Sequence, residues 1–440
     1  MSVAHILGFP RIGVRRELKR AVEAHWKGTL AQPGLEQAAR ELRARHWALQ
    51  QQAGLNYVTV GDFAYYDHLH NVTALVSAAP RRFGLGGPVD LAGYFAMARG
   101  TPRQPALAMK KWFDTNYHYL VPELDAETRF SLNRDWLLPE VREAQALGHK
   151  VKVALPGPLT WLWLSSAPAG FDKLKLLSLL LNVYWVLLQE LGALGVEWVQ
   201  IDEPILSLDL PPEWLAAYPA VFRELAGAGP KVLLATYFGD VGQHAAWLKQ
   251  SPIAGLHLDL VRAPRQLEFF LDGWPQDKVL SLGLIDGRNL WRADLTKVLA
   301  GVHQAKLALG ERLWISASCS LLHVPVDLEA ERKLDPQVRS WMAFAVQKLH
   351  ELSVLKRALG GGESAVWKEL EASSQAAESR RRAPSTSRAE VRARVAALTE
   401  QDARRGAPFT QRIDKQQAIL NLPPLPTTTI GSFPQTAEIR

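Results

Sequence analysis

Cysteine is almost absent from this 440-residue sequence, which contains one, Cys319. A single thiol cannot form an internal disulfide, so a disulfide-built secreted scaffold is excluded. The sequence also lacks a G-x-G-x-x-G or Walker A loop, which removes the usual evidence for a nucleotide-binding open sheet. The start of the chain has no basic segment followed by a long apolar segment, as a signal peptide would. A cytoplasmic location is the resulting expectation.

Long apolar runs are missing as well. The most apolar stretch, residues 176–188, is shorter than the roughly 20 residues that span a bilayer, and Ser178 and Asn182 interrupt it. It predicts a buried helix and gives no reason to expect a membrane partner. The bulk composition is typical of a globular protein, with 48% hydrophobic residues, 22% charged residues and a formal net charge of +7. That basic excess favours an anionic partner.

Short apolar runs recur along the chain, and most are followed by a loop and a helical pattern. They lie at residues 3–7, 57–60, 151–155, 196–201, 232–236, 255–258, 279–284 and 313–317. Eight strand–helix units predict an α/β fold of the (β/α)8 TIM-barrel type. A long, mixed and partly helical insertion follows the second run, at residues 63–149. The pattern at residues 328–359 predicts one long helix.

The composition changes after residue 359, where three glycines at 360–362 end the helical pattern. Residues 360–426 are predicted to form a helical arm that ends as a proline-rich linker. The opening turn, L-G-F-P, then recurs with one inserted serine as I-G-S-F-P at 430–434, which indicates an internal duplication. We therefore expect a barrel at 1–359, the arm and linker at 360–426, and the first strand of a truncated second barrel at 427–440.

Several long motifs accompany the two ends of the chain. They are L-G-F-P-R-I-G-V-R-R-E-L-K at 7–19, W-F-D-T-N-Y-H-Y at 112–119, I-D-E-P at 201–204, G-R-N-L-W-R-A-D at 287–294, S-C-S-L-L-H at 318–323 and I-G-S-F-P-Q-T-A-E-I-R at 430–440. With these motifs the sequence closely resembles cobalamin-independent methionine synthase over essentially its whole length. The resemblance implies that the chain is the amino-terminal half, the linker and the first strand of the carboxy-terminal half.

In that family a methyl group passes from a 5-methyltetrahydrofolate polyglutamate to homocysteine, giving methionine, without cobalamin. The folate amine is a poor leaving group and a neutral thiol is a poor nucleophile, so the family uses zinc and a general acid. Both belong to the carboxy-terminal half and have no counterpart here, so we assign no catalytic or metal-binding residue. The resemblance implies a chain that is inactive alone, clamps the folate tail and packs against a catalytic barrel in cis.

Basic residues dominate the implied folate site, because a run of glutamates calls for lysines and arginines at spaced positions. The family's contacts to the folate tail correspond to Arg15, Arg16, Glu17, Leu18 and Lys111, and Lys19 adjoins them. Lys110 occupies a position that the family does not need to be basic. The family's homocysteine contacts correspond to Ile430, Gly431 and Ser432, an incomplete site without the barrel around it.

Other residues leave alternatives open. Asp202 and Glu203 could form an acid/base pair, but hydrogen bonding within the barrel loops is the preferred interpretation, and we do not assign them to catalysis. The D-H-x-H cluster at 67–70 is interpreted as loop structure rather than as a zinc site, which needs three or four supported ligands. Cys319 is interpreted as a small core residue.

A competing function is a stand-alone, non-catalytic barrel that binds polyanions. Its binding surface would be the arginine-rich segment 380–394. That segment has no interleaved aromatic residues on which bases could stack, so nucleic acid is not an expected partner. We interpret the segment as a linker helix with a solvated charged face.

Overall fold

The computed structural model describes residues 2–428 and is built around a parallel sheet of eight strands. The sheet strands are β1 (Val3–Ala4), β2 (Val58–Val60), β5 (Val151–Pro156), β6 (Trp198–Asp202), β7 (Lys231–Ala235), β8 (Gly255–Asp259), β9 (Val279–Ile285) and β10 (Leu313–Ala317), and β3 (Met109–Lys111) and β4 (His118–Leu120) form a separate hairpin. Their order is β1-β10-β9-β8-β7-β6-β5-β2. All eight predicted strands appear in this sheet, and the TIM-type α/β fold is confirmed.

The first and last strands of that order meet and close the sheet into a barrel. The backbone N–H of Asn56 donates to Ala4 O at 2.9 Å, and the Ala4 N–H donates to the Asn56 side-chain oxygen at 2.9 Å. Nearby, the Thr59 hydroxyl donates to Ile6 O at 3.0 Å. These bonds satisfy polar groups that two open sheet edges would leave unpaired.

Helices surround the barrel and fill its insertion. They are α1 (Glu17–Trp26), α2 (Gln32–Gln52), α3 (His68–Leu75), α4 (Leu91–Arg99), α5 (Leu138–Ala146), α6 (Pro158–Leu164), α7 (Leu177–Ala193), α8 (Pro212–Gly227), α9 (Ala245–Gln250), α10 (Gln266–Leu271), α11 (Leu295–Leu309), α12 (Pro336–Ser340), α13 (Ala345–Gly361), α14 (Trp367–Arg382), α15 (Ala389–Ala396) and α16 (Phe409–Leu420). The single helix predicted at 328–359 is wrong. The Asp335 carboxylate accepts the N–H groups of Gln337 and Val338, which starts the separate helix α12.

Two compact units divide the chain, Met1–Arg380 and Arg381–Arg440. The first extends beyond the predicted boundary at 359 because α14 packs on the barrel. Its Ser373 hydroxyl accepts the N–H of Leu295 at 3.1 Å, and its Leu370 is buried. Helices α15 and α16 belong to the described part of the second unit. Most of the segment predicted to begin a second barrel, 427–440, lies outside the described residues.

The apolar stretch noted in the sequence forms helix α7. Residues Lys173–Ala193 are long and apolar enough to cross a membrane by length and composition alone, and 44% of their most apolar window is buried inside the protein. Leu180, Tyr184, Leu187 and Leu191 lie on the buried side and belong to the main hydrophobic core. The same apolar face that passes a membrane test therefore packs against the barrel.

The inside of the barrel contains a layer of polar side chains. His257 bonds through Nδ1 to the Ser281 hydroxyl at 2.9 Å and through Nε2 to Ser318 O at 3.2 Å, and the same hydroxyl lies 2.7 Å from His5 Nε2. Burial lowers the pKa of His257 to about 3, with a further lowering by the Lys152 charge. The neutral imidazole is therefore part of the folded core.

Substituting His257 by asparagine is expected to remove one source of acid sensitivity. A histidine whose folded pKa is lowered stabilises the fold above its unfolded pKa of roughly 6.5, and this stability is lost as the pH falls towards the folded value. The wild type should exceed His257→Asn in unfolding free energy at pH 7, and the gap should narrow by about 3 kcal/mol at pH 4. Urea titrations at both pH values test this, with His303→Asn, on the exposed face of α11, as the control. If the difference in unfolding free energy between the two proteins is the same at pH 7 and pH 4, a lowered pKa of His257 is contradicted.

Candidate functional site

The loop after β1 carries the first group of predicted folate-tail contacts. It is held at the barrel mouth by the Asp62 carboxylate, which accepts the N–H of Phe9 at 2.7 Å. The loop turns at Gly13, whose φ of +79° favours glycine, and again at Arg16, which adopts φ 59° and ψ 38°. A left-handed arginine at the start of α1 is strained, and such strain is common at binding sites.

The predicted tail residues in this loop divide into two kinds. Arg15 and Arg16 are exposed, and no carboxylate pairs with either side chain within residues 2–428. Glu17 is instead structural, because its carboxylate accepts the Arg15 N–H at 2.8 Å and pairs with Arg45 at 3.2 Å. Partial burial acts to raise the pKa of Glu17, but its backbone hydrogen bonds and Arg45 lower it overall. Among the described residues, the side chains of Arg15 and Arg16 therefore remain available for a ligand.

Leu18 and Lys19 complete that predicted group. Leu18 is 2% exposed and packs in a hydrophobic cluster that also contains Leu120 of the hairpin. Lys19 is exposed and lies 3.7 Å from Glu23 on the next turn of α1. Leu18 therefore fixes the position of the helix start, and Lys19 is a partly compensated charge beside it.

Substituting Arg16 by glycine is expected to stabilise the fold while weakening anion binding. The left-handed conformation costs a non-glycine residue about 1 kcal/mol, which glycine removes. Urea unfolding should therefore show a more stable variant, whereas its affinity for a triglutamate should fall roughly tenfold with the loss of one cation. Arg15→Gly is the matched control, since Arg15 lacks the positive φ and should gain no stability. A destabilised Arg16→Gly variant contradicts this account.

The remaining predicted tail residue, Lys111, lies on the β3–β4 hairpin. It is exposed, it faces His118 across the hairpin, and within residues 2–428 it has no carboxylate partner. Lys110 lies beside Lys173, whose pKa is lowered to about 8 by burial and by the Lys110 charge. Adjacent strand residues point to opposite faces, so the two lysines serve different surfaces.

The hairpin crosses the whole mouth of the barrel. Its strands belong to the insertion that follows β2. Its tip residue Asp114 pairs with Arg262, which follows β8, and with Arg288, which follows β9. In the closed barrel β8 stands four strands from β2 in either direction. This hairpin is not among the predicted elements, although its Asp-Thr-Asn turn between aromatic residues is a usable hairpin signal.

Arg11 links the two segments that carry the predicted cations. Its guanidinium donates to the backbone oxygen of Tyr66 and lies 5.2 Å from the centre of the Tyr117 ring in the hairpin. Arg15 and Arg16 follow Arg11 in one loop, and Lys111 precedes Tyr117 in the other segment. The fold therefore brings the amino-terminal loop and the hairpin to the same face of the barrel.

Below the hairpin, little space is left at the carboxyl ends of the strands. A cavity of about 40 Å³ lies between Trp112, which is 2% exposed, and the carboxylates Asp62 and Asp202. Burial raises the pKa of Asp62 to about 6 and also raises that of Asp202, which accepts the Tyr237 hydroxyl at 3.0 Å. The face at which barrel enzymes usually bind substrates is covered in this protein.

Glu203, the other member of the possible acid/base pair, is fully engaged in structure. Its carboxylate accepts the N–H groups of Leu159 and Thr160 at 3.0 and 2.8 Å, the Thr160 hydroxyl at 2.6 Å and the Tyr218 hydroxyl at 3.2 Å. Burial raises its pKa to about 7, and the hydrogen bonds oppose the rise. A Cβ at Gly157 would collide with this carboxylate, so glycine is required there. Glu203 therefore stabilises the first turn of α6 by accepting hydrogen bonds from its N–H groups.

The other candidate ligands are also occupied by structural contacts. The Asp67 carboxylate accepts the N–H groups of His70 and Leu120 at 2.8 and 2.9 Å, and the His68 ring packs edge-on against Trp112 at 4.4 Å. Cys319 is buried in the core, and burial raises the pKa of its thiol. Within residues 2–428, no group of three His, Cys, Asp or Glu side chains is placed to hold a metal ion.

Comparison with known proteins agrees with this arrangement. A family model described as the N-terminal domain of cobalamin-independent synthase matches residues 3–309. The chain belongs to the cobalamin-independent methionine synthase family. Two similar proteins, from Burkholderia thailandensis and Ralstonia pickettii, are each 54% identical over the whole chain and carry the name 5-methyltetrahydropteroyltriglutamate–homocysteine methyltransferase. The chain spans 58% and 57% of their lengths, respectively.

Solved structures of methionine synthases share the fold. A B12-independent methionine synthase from Shewanella matches with a TM-score of 0.52 and 17% identity, covering 78% of this chain and 92% of its own. A protein from Listeria monocytogenes described as a putative vitamin-B12 independent methionine synthase matches with a TM-score of 0.56 and 15% identity, covering 82% and 98%. At these identities the likeness concerns the fold alone. The predicted homocysteine contacts Ile430, Gly431 and Ser432 lie outside the described residues.

Proposed function

We propose that this chain is the folate-tail-binding part of a longer methionine synthase, which moves a methyl group from 5-methyltetrahydropteroyl polyglutamate to homocysteine. The names of the relatives supply the reaction, and the chain spans only 58% of the first of them. The observation that carries the proposal is the set of three exposed cations, Arg15, Arg16 and Lys111, which have no carboxylate partner within residues 2–428.

The role of these cations follows from the chemistry of the tail. Each glutamate adds one carboxylate, and a charge-assisted contact to arginine or lysine stabilises a complex by about 1.5 kcal/mol or more. Arginine can hold a carboxylate with two N–H groups, whereas lysine acts as a flexible point charge. Binding the tail at this face of the barrel would direct the folate ring towards the proposed catalytic barrel.

The chemical step is proposed to take place in the rest of the longer protein. In this chain the barrel mouth is covered by the hairpin, and Glu203 is saturated with donors. Residues in the rest of the longer protein are proposed to hold zinc, which would lower the pKa of the homocysteine thiol. Within residues 2–428, no group of side chains fits a zinc site. Homocysteine and the catalytic barrel in cis are proposed partners, and a cytoplasmic location stays a prediction.

Calorimetric titration of the wild-type chain with folates of different tail length tests the proposal. The triglutamate form is expected to bind about 100-fold more tightly than the monoglutamate form, because two further carboxylates each gain a charge-assisted contact of roughly 1.5 kcal/mol. The difference should shrink as the ionic strength rises, since exposed charges are screened. The chain alone should produce no methionine from homocysteine. Equal affinity for the two folates would contradict the proposal.

A further inference from the structure

The β3–β4 hairpin is fixed at both ends by aspartates. At its base, the Asp67 carboxylate accepts the N–H of Leu120 at 2.9 Å. At its tip, Asp114 binds Arg262 through one oxygen, and its other oxygen accepts Arg288 Nη1 at 2.8 Å. Arg288 Nη2 also donates to the backbone oxygen of Asp114 at 3.0 Å. Lys111 lies between these two fixed points.

The tip is strained as well as clamped. Phe113 and Phe238 both adopt positive φ values, 51° and 73°, and their ring centres lie 5.5 Å apart. Arg288 lies over the Phe238 ring at 5.0 Å. Two non-glycine residues held in the left-handed region need surrounding contacts that enforce this conformation. The arginines on Asp114 are the charged part of those contacts.

The two arginines are themselves held by the barrel. The Asp259 carboxylate accepts the N–H groups of Arg262 at 2.9 Å and of Phe238 at 3.0 Å, and the Asp286 carboxylate accepts the N–H of Arg288 at 2.8 Å. The tip of the hairpin is therefore attached to loops that rigid strands support. Partial burial acts to raise the pKa of Asp114, but the hydrogen bonds and charges of Arg288 and Arg262 outweigh it, and the net pKa is lowered. The carboxylate is therefore ionised in neutral solution.

We propose that Asp114 is a positioning residue for the folate tail: with Arg262 and Arg288 it latches the hairpin across the barrel mouth and so fixes where Lys111 meets the tail carboxylates. This inference rests on the proposed function. Without the latch, the strained tip relaxes and Lys111 loses its fixed place relative to Arg15 and Arg16. The consequence is a loss of tail-length discrimination rather than a loss of folding.

Asp114→Asn keeps the size of the side chain and removes its charge. We expect its affinity for the triglutamate folate to fall about fivefold and its affinity for the monoglutamate folate to change less than about twofold. Asp114→Glu should restore most of the discrimination. Arg288→Gln should resemble Asp114→Asn, and combining the two should add little, because both substitutions release the same contact.

Asp125→Asn is the matched control, because Asp125 lies in the same insertion and pairs with Arg81 at 3.7 Å. It should leave both affinities unchanged. Thermal unfolding of every variant shows whether it is folded, and Arg288→Gln replaces Asp114→Asn if the latter is not.

Three results overturn the inference. If Asp114→Asn and Arg288→Gln bind both folates as the wild type does, the latch positions nothing. If they weaken both folates equally, the role is general stability. If Lys111→Ala itself leaves triglutamate binding unchanged, the proposed function fails together with the inference. If Lys111→Ala weakens triglutamate binding but Asp114→Asn does not, only the inference is overturned.

Discussion

Replacing Arg15 and Lys111 together by alanine is expected to weaken binding of a triglutamate folate about 100-fold, because two charge-assisted contacts of roughly 1.5 kcal/mol each are lost. Both side chains are exposed, and neither has a carboxylate partner in the described part of the chain, so their removal should not destabilise the fold. Affinity for the monoglutamate should change less than about threefold, because it lacks the additional carboxylates. Calorimetry with both folates measures the two effects.

Lys110→Ala is the control for this experiment. Lys110 is the neighbouring lysine on β3, it carries the same charge, and it lies beside Lys173. Its substitution should leave triglutamate binding within about twofold of the wild type, because strand neighbours point to opposite faces. If Lys110→Ala weakens triglutamate binding as much as Lys111→Ala does, the chain attracts the tail by its net charge and has no defined subsite for it.

Substituting Glu203 by alanine is expected to lower the unfolding free energy by about 4 kcal/mol, because several buried donors lose their acceptor together. Those donors are the N–H groups of Leu159 and Thr160 and the hydroxyls of Thr160 and Tyr218. Since α6 starts at Pro158, its first turn should loosen. Urea titration at neutral pH measures the loss.

Glu224→Ala provides the comparison, since Glu224 is exposed on α8 and its removal should cost less than about 0.5 kcal/mol. The fraction of Glu203→Ala that remains folded should bind the triglutamate folate normally. A stable Glu203→Ala variant that has lost folate binding would instead place Glu203 in the binding site.

The barrel could be predicted from the sequence because its strands are local signals. Each is a short apolar run, and the βα rhythm repeats often enough to count eight of them. The interpretation of Cys319 as a core residue followed from the lack of a second cysteine that could complete a metal site, and it is confirmed by its full burial. Such features depend on neighbours in the sequence.

The arrangement over the barrel mouth could not be predicted in the same way, because its contacts join distant residues. Asp114 meets Arg262 and Arg288 across 148 and 174 positions. From the sequence, Glu203 could be either an acid/base residue or a structural one. Only the folded structure shows that donors such as the Thr160 and Tyr218 hydroxyls occupy its carboxylate. The interruption of the predicted helix at 328–359 just before α12 has a signal in the sequence, because Asp335-Pro336 is an N-cap followed by proline at the first helical position.

Hydrogen–deuterium exchange on the wild-type chain, with and without the triglutamate folate, tests the central claim most directly. Bound ligand should slow exchange in two segments together, the loop and helix start at residues 9–20 and the hairpin at 109–120, because the tail would bridge them. The monoglutamate should protect these segments less. Protection confined to the arginine-rich segment 380–394, or absent from either predicted segment, would contradict the account and favour a polyanion-binding role for the arm.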